Sequence, residues 1–176
     1  TSGCTFSFDK LEFRRAESAA EKKDYPTAVE GYHRMIKRFE ESPQALEAAR
    51  RGARLSTLET KDYPKAVDFY KHLVMYSEDP KERFDAQKKV ATIYFENLTD
   101  YPAAITKYSK LIKLQPNNEE SFEFRLNIAK SYFQLNKFDQ ARIEVDELLE
   151  KKLDQDQKFD VMMFKGNLLL TEKKLD

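Results

Sequence analysis

The stretch Asp24-Tyr25-Pro26-Thr27-Ala28-Val29 decides the fold, because it returns twice further along the chain. The copies are Asp62-Tyr63-Pro64-Lys65-Ala66-Val67 and Asp100-Tyr101-Pro102-Ala103-Ala104-Ile105, and their alanines follow at intervals of 38 residues. A looser copy, Lys137-Phe138-Asp139-Gln140-Ala141-Arg142, comes 37 residues after the third. Three identical Asp-Tyr-Pro triplets at one period indicate an architecture built from internal repeats.

Each copy predicts the start of a helix, which we name helix B of its repeat. Asp suits the N-cap position, and Pro is tolerated in the first turn because that N–H has no partner there. Apolar residues follow each alanine after four and after seven positions, which is the spacing of one buried helical stripe. They are Tyr32, Tyr70, Tyr108 and Val145, then Met35, Leu73, Leu111 and Leu148.

A second helix, helix A, is predicted upstream of each helix B. Small residues recur there every 37 or 38 residues, and small residues let two helix backbones approach closely. These residues are Ala16, Ala53, Ala91, Ala129 and Gly166. The distance to the helix-B alanine is one residue longer in repeats two and three, which predicts one extra residue between their helices. Ser42-Pro43 and Asp79-Pro80 are capped starts for the second and third A helices.

Together these residues resemble the tetratricopeptide repeat. Repeat three fits best, with Val90-Ala91, Tyr94, Tyr101, Ala104, Tyr108, Leu111 and Pro116, and repeat four supplies Ile128-Ala129, Tyr132, Phe138 and Ala141. Arg15, Ala19 and Ser56 depart from the pattern, and the period exceeds the usual 34 residues. The resemblance implies an all-α, right-handed superhelical solenoid of antiparallel helix pairs, about four and a half repeats long, that binds other proteins without catalysis. The alternatives are a helical bundle with accidental similarity and another solenoid of helix pairs.

The pattern divides the chain into an N-terminal tether and the repeat array. The tether covers residues 1–8 and the array residues 9–176. The predicted repeats span about 9–42, 43–79, 80–116, 117–154 and an incomplete 155–176. Because the fifth A helix is apolar on a broad face, we expect either that the natural chain continues or that a second copy covers this helix by self-association.

Composition and motifs argue against several functions. The chain has 31 Lys plus Arg and 31 Asp plus Glu, so its formal net charge is zero, and we expect no nucleic-acid binding. Motifs typical of hydrolases, P-loop proteins and metalloproteases are absent from the sequence. We therefore expect no enzyme activity, cofactor or metal. His33 and His72 could be interpreted as a metal pair, but two histidines without a cysteine make a poor zinc site, and surface or boundary positions are favoured.

The resemblance places a binding groove on the A helices. Its residues are taken from helix-A positions around each small residue that face away from helix B. They are Phe13, Arg50, Arg54, Lys88, Phe95, Leu126, Lys130, Phe133 and Met163. Four cations among aromatic and aliphatic side chains suit an acidic or amphipathic protein segment. An ordinary solvated face is the alternative.

The N-terminus carries a hint about location. Thr1-Ser2-Gly3-Cys4 resembles the end of a bacterial lipoprotein signal, in which the cysteine is acylated, although Thr1 stands where Leu is usual. The link Phe39-Glu40-Glu41-Ser42-Pro43-Gln44-Ala45 is similar to one in tetratricopeptide lipoproteins of the bacterial envelope. These resemblances imply a periplasmic protein, anchored at the outer membrane through a lipid on Cys4. The alternative is a cytoplasmic adaptor or regulator in signalling or motility.

Overall fold

The computed structural model describes residues 8–116 and 119–175. Within these ranges the chain folds into nine α-helices and one short π-helix, and it contains no strand. The α-helices are α1 (Phe8–Glu21), α2 (Tyr25–Arg38), α3 (Pro43–Leu58), α4 (Tyr63–Tyr76), α5 (Pro80–Thr92), α6 (Tyr101–Leu114), α7 (Ser121–Gln134), α8 (Phe138–Leu149) and α9 (Gln155–Leu175). The all-α prediction is confirmed. Cys4 and the rest of the predicted tether up to residue 7 lie outside the described residues.

The repeated triplet begins helices α2, α4 and α6 as expected. A carboxylate oxygen of Asp24, Asp62 or Asp100 accepts a hydrogen bond from the backbone N–H three residues later, at 3.3, 3.1 and 3.0 Å respectively. Ser42 and Asp79 cap α3 and α5, accepting from the N–H two residues on. Each cap satisfies one of the backbone donors that a helix leaves unpaired at its start.

A residue with left-handed backbone directly precedes the N-cap residue of every B helix in the described ranges. The four residues are Lys23, Lys61, Thr99 and Asn136, with φ between 50° and 61°. None is glycine, although a side chain makes this conformation costly. The turn geometry is therefore repeated together with the sequence.

The extra residue of repeats two and three is accommodated in two ways. In repeat two it lengthens the turn, because α3 ends at Leu58 and the capping Asp62 comes four residues later. In repeat three helix A continues beyond α5 as a π-helix, Ile93–Asn97. A π-helical turn takes up one more residue than an α-helical turn, so the link to the next helix keeps the length seen in repeat one.

The chain divides into two compact units, Thr1–Ile93 and Tyr94–Asp176, and the boundary falls inside the third predicted repeat. In the first unit successive helices contact one another, and α1 also contacts α3 while α2 contacts α4. Ala16 and Gly31 lie where α1 and α2 approach. A Cβ atom added at Gly31 would lie 2.8 Å from the Cβ of Ala16, so a side chain is excluded there.

The second unit packs α7, α8 and α9 around a core of Leu126, Ala129, Val145, Leu148 and Val161. The rings of Tyr108 on α6 and Phe124 on α7 stack at 5.6 Å. Gly166, the predicted small residue of the fifth repeat, has no atom within 4 Å of the position that a Cβ would take. Its face of α9 is therefore open.

Candidate functional site

Two neighbouring clefts lie along the A helices of the first unit. The polar cleft, of about 640 Å³, is lined by charged residues of α1 and α3 together with Tyr32. The apolar cleft, of about 400 Å³, lies beside α3 and α5 and includes Tyr70 and Leu73 of α4. Arg50 and Arg54 line both clefts. Two of the predicted groove residues thus occupy the centre of one continuous surface.

A charged stripe on α3 builds this surface. Glu47, Arg50, Arg51 and Arg54 follow one another at the i, i+3, i+4, i+7 spacing that places side chains on one helix face. Counting positions from the small residue identified Arg50 and Arg54 but missed Glu47 and Arg51. The same helical spacing, applied to charged residues, would have found both.

Ion pairs occupy most of the polar cleft. The Arg51 guanidinium contacts Glu17, donates to Glu47 at 2.8 Å and lies 5.4 Å from the ring centroid of Phe13. The Tyr32 hydroxyl also donates to Glu17. Burial, with smaller contributions from Glu47 and Glu21, raises the pKa of Tyr32 to about 12. The ring of Phe13, a predicted groove residue, therefore packs against Arg51 of this chain.

Arg50 is also engaged within the first unit. Its Nε and Nη2 atoms donate to the two carboxylate oxygens of Glu82 on α5, at 2.7 and 3.0 Å. Hydrogen bonding to Glu82 raises the pKa of Arg50, and hydrogen bonding to Arg50 lowers the pKa of Glu82. A bidentate ion pair between an arginine and a carboxylate is among the stronger polar contacts in proteins. The charge of Arg50, which the sequence analysis assigns to the binding groove, is thus paired with Glu82 within the first unit.

Arg54 and Lys89 are the cleft cations that remain available. Among the described residues neither side chain has a hydrogen bond or ion pair, and both are exposed. The apolar cleft that both of them line also contains the carboxylates of Glu82 and Asp85, which pair with Arg50 and Lys88, and these uncharged side chains: Ala53, Thr57, Leu58, Tyr70, Leu73 and Ala86. Leu58 is 59% exposed, so apolar surface remains accessible beside the two cations. The arrangement can hold an apolar side chain while it neutralises carboxylates at its edges.

The other predicted groove residues are not brought together with these two. Lys88 forms an ion pair with Asp85 at 3.7 Å, whereas Lys89 lines the apolar cleft. The lysine that lies in the cleft is therefore the neighbour of the predicted one. Leu126 is 2% exposed and packs in the core of the second unit, so it offers no surface to a partner.

The remaining predicted residues belong to the second unit. The Phe95 ring packs edge-on at 6.0 Å from Tyr101, and Phe133 packs edge-on against Phe138 and Phe164. Lys130 is half-buried and has no ion pair among the described residues. Met163 is 54% exposed on α9. Helix register alone could not predict these differences, because side-chain packing decides which residue of a helix face stays accessible.

The two histidines lie on neighbouring B helices. His33 Nε2 is 2.8 Å from a carboxylate oxygen of Asp68, and His72 is 7% exposed with its ring 4.5 Å from Tyr76. Burial lowers the pKa of His72, which favours its neutral form. No group of three or more His, Cys, Asp or Glu residues suited to a metal ion occurs in the described ranges.

In the part of the chain that the structure describes, no helix has both the length and the apolar character needed to span a membrane.

No protein-family model and no curated protein matches the chain. Solved structures do resemble it. Nearly identical tetratricopeptide-like repeats from Podosopora anserina match with a TM-score of 0.51 and 14% identity, covering 95% of this chain and 96% of that one. A tetratricopeptide repeat protein from Parabacteroides merdae matches with a TM-score of 0.50 and 17% identity, covering 98% of this chain and 61% of that one. The chain thus has the all-α fold of tetratricopeptide repeat proteins.

Proposed function

We propose that this chain is a non-catalytic scaffold that binds an acidic, amphipathic segment of another protein in the apolar cleft. The observation that carries the proposal is the pair of unpartnered cations, Arg54 and Lys89, which line the same cleft as accessible apolar surface. The tetratricopeptide fold supports binding to another protein rather than catalysis. Because acidic and basic residues are equal in number, the chain as a whole does not attract polyanions. This supports recognition of an acidic segment through a few local cations.

The paired arginines support the same proposal. Arg50 and Arg51 are held by carboxylates on α1, α3 and α5, so they fix the cleft rather than contact a ligand. A ligand carboxylate near Arg54 would not need to break an existing ion pair. Its binding would therefore cost less desolvation and rearrangement than binding at Arg50.

The direct test measures the binding of a short fluorescein-labelled peptide made of Glu, Leu and Phe by fluorescence anisotropy. We expect Arg54→Glu to weaken binding about tenfold, which corresponds to ~1.4 kcal/mol, and Lys89→Glu to act in the same direction. Binding should also weaken as salt is added, because exposed charges are screened.

The control variant is Arg14→Glu. Arg14 is an exposed arginine on α1 that lines neither cleft and forms no hydrogen bond or ion pair with the described residues. We expect this variant to bind the acidic peptide as the parent does, and we expect a peptide with Lys in place of Glu not to bind. Equal loss in Arg14→Glu and Arg54→Glu would contradict a site in the apolar cleft.

We further propose that the protein works at the bacterial envelope, in the periplasm, held at the outer membrane through a lipid on Cys4. The resemblance of Thr1-Ser2-Gly3-Cys4 to the end of a bacterial lipoprotein signal supports this location. One lipid chain alone anchors weakly, so partner binding would add to the anchoring. The mass of the mature N-terminus, measured after expression from the full native gene, tests the proposal.

A cleaved N-terminus with an acylated Cys4 would support the envelope location. An unprocessed N-terminus would contradict it and favour a cytoplasmic adaptor in signalling or motility. Replacing Cys4 by Ser gives the matched control, because this variant should lose the lipid mass while keeping its helical content.

A further inference from the structure

The outward face of α9 is an apolar stripe of five side chains. They are Phe159, Met162, Met163, Leu169 and Leu170, with exposed fractions between 46% and 64%. Their spacing of three and four residues places them on one helix face, with Gly166 at its centre. An exposed contiguous apolar stripe of this kind is typical of an interaction surface.

The opposite face of α9 is already used. Val161 and Leu168 are fully buried, and α9 contacts both α8 and α7. Lys165 adds an ion pair with Asp146 on α8 at 2.7 Å. The helix is therefore held in the second unit by its inner face, and the apolar stripe on its outward face is not buried within that unit.

The stripe has the same pattern in both directions from Gly166. Met163 and Leu169 are three residues away on either side, and Met162 and Leu170 are four residues away. Two α9 helices that cross antiparallel at Gly166 would pair Met163 with Leu169 and Met162 with Leu170 of the other copy. Because the space beside Gly166 is open, the two backbones could approach closely there.

The exposed charges favour the same antiparallel arrangement. Asp156 and Asp160 lie in the N-terminal half of α9, and Lys173 lies near its C-terminal end. An antiparallel pair brings unlike charges close together, whereas a parallel pair would bring Asp156 against its own copy. Lys173 would also lie opposite Phe159, where its stem can cover the aromatic ring.

We propose that the chain forms a two-fold symmetric dimer through antiparallel α9 helices that cross at Gly166. The same surface serves both copies, which is the arrangement that closes a dimer without further growth. The proposal does not rest on the peptide cleft, because that cleft lies in the first unit.

The first test is the mass of the chain in solution, measured by light scattering behind size-exclusion chromatography over a range of concentrations. We expect about twice the single-chain mass of 20.7 kDa at high concentration. Leu170→Glu should give the mass of one chain. The matched control is Ile143→Glu on α8, because Ile143 is 58% exposed and Leu170 is 61% exposed.

The second test measures the crossing geometry in a Cys4→Ser background. Gly166→Cys should form a disulfide dimer on mild oxidation, because the two-fold axis passes through this position. Phe159→Cys should not, because antiparallel helices place the two copies of this residue about 21 Å apart, at 1.5 Å per residue. A parallel pair would cross-link both variants and would overturn the proposed geometry.

A single-chain mass at every concentration would overturn the dimer and assign the stripe to another occupant, such as a further helix or a different protein. Loss of the dimer in Ile143→Glu as well as in Leu170→Glu would overturn the assignment to α9. Circular dichroism of each variant separates these outcomes from unfolding, since the positions substituted on α8 and α9 are exposed.

Discussion

Gly52 on α3 leaves the space that the ring of Phe69 on α4 occupies. A Cβ atom built on Gly52 would lie 2.3 to 2.7 Å from atoms of the Phe69 ring, and that ring is fully buried. The ring has no room to withdraw, because close-packed cores lack free volume. Gly52 thus makes possible the packing that sets α4 beside the apolar cleft.

We predict that Gly52→Ala lowers the free energy of unfolding by about 1–3 kcal/mol, the usual cost of overpacking a core. Urea denaturation followed by circular dichroism measures it. Adding Phe69→Leu should recover part of the loss, because the smaller side chain frees space for the methyl group. The control Arg54→Ala, on the exposed face of the same helix, should change stability by less than about 0.5 kcal/mol.

The Glu82 carboxylate gives the first unit a dependence on pH. Its pKa lies below the ordinary value of 4.5, mainly because it accepts hydrogen bonds from Arg50. The charged form therefore stabilises the fold at pH values above 4.5, and this contribution is lost as the pH falls through the lower pKa of the folded state.

We predict that Glu82→Gln destabilises the chain at neutral pH and makes its stability less dependent on pH below 4.5. Urea denaturation at a series of pH values measures both effects. Glu78→Gln, an exposed acidic residue in the preceding turn, is the matched control and should keep the parent's acid dependence. Coincident curves for Glu82→Gln and the parent would show that the Arg50–Glu82 pair contributes no stability.

At the scale of the element, the turn before each B helix forces a side chain into left-handed backbone. Thr99 is the least suited of the four residues, because it is branched at Cβ, whereas Asn tolerates this conformation better. We predict that Thr99→Gly raises the free energy of unfolding by about 1 kcal/mol. Asn136→Gly, in the equivalent position, should change stability less, as measured by urea denaturation.

Helix starts could be predicted from the sequence because their signal is local. The capping Asp and the following Pro act within one turn, and the structure shows the expected hydrogen bond at Asp24, Asp62 and Asp100. The π-helix at Ile93–Asn97 could not be predicted, because a one-residue insertion can enter either the turn or the helix. Packing around the insertion decides between them.

The candidate site was predictable only in part for a related reason. Helical spacing identified Arg50 and Arg54, but whether a cation is free depends on residues far away in sequence. Glu82, which takes the charge of Arg50, is 32 residues further along the chain. Only the tertiary structure distinguishes the engaged Arg50 from the available Arg54.

At the scale of the whole molecule, balanced charge limits what the protein can bind. With 31 positive and 31 negative residues, the chain has no net attraction for a polyanion. We predict that it does not shift double-stranded DNA in a gel assay at physiological salt. Binding that weakens steeply with added salt would contradict this and would indicate a basic surface on one of the two units.

The Ser-Pro and Asp-Pro sequences that begin α3 and α5 also affect how the repeat array could gain a repeat by gene duplication. An in-frame gene duplication of residues 42–78 would place a new Ser-Pro start directly after Glu78 and leave the original Asp79-Pro80 intact. The new copies of α3 and α4 would each carry their own capping residue, and α5 would keep Asp79. The A helices would still contact one another, as α1 contacts α3. Adding a whole repeat would thus require no further point mutation at the junction between the copies. A duplication that began within a helix would instead remove a cap and expose a core face.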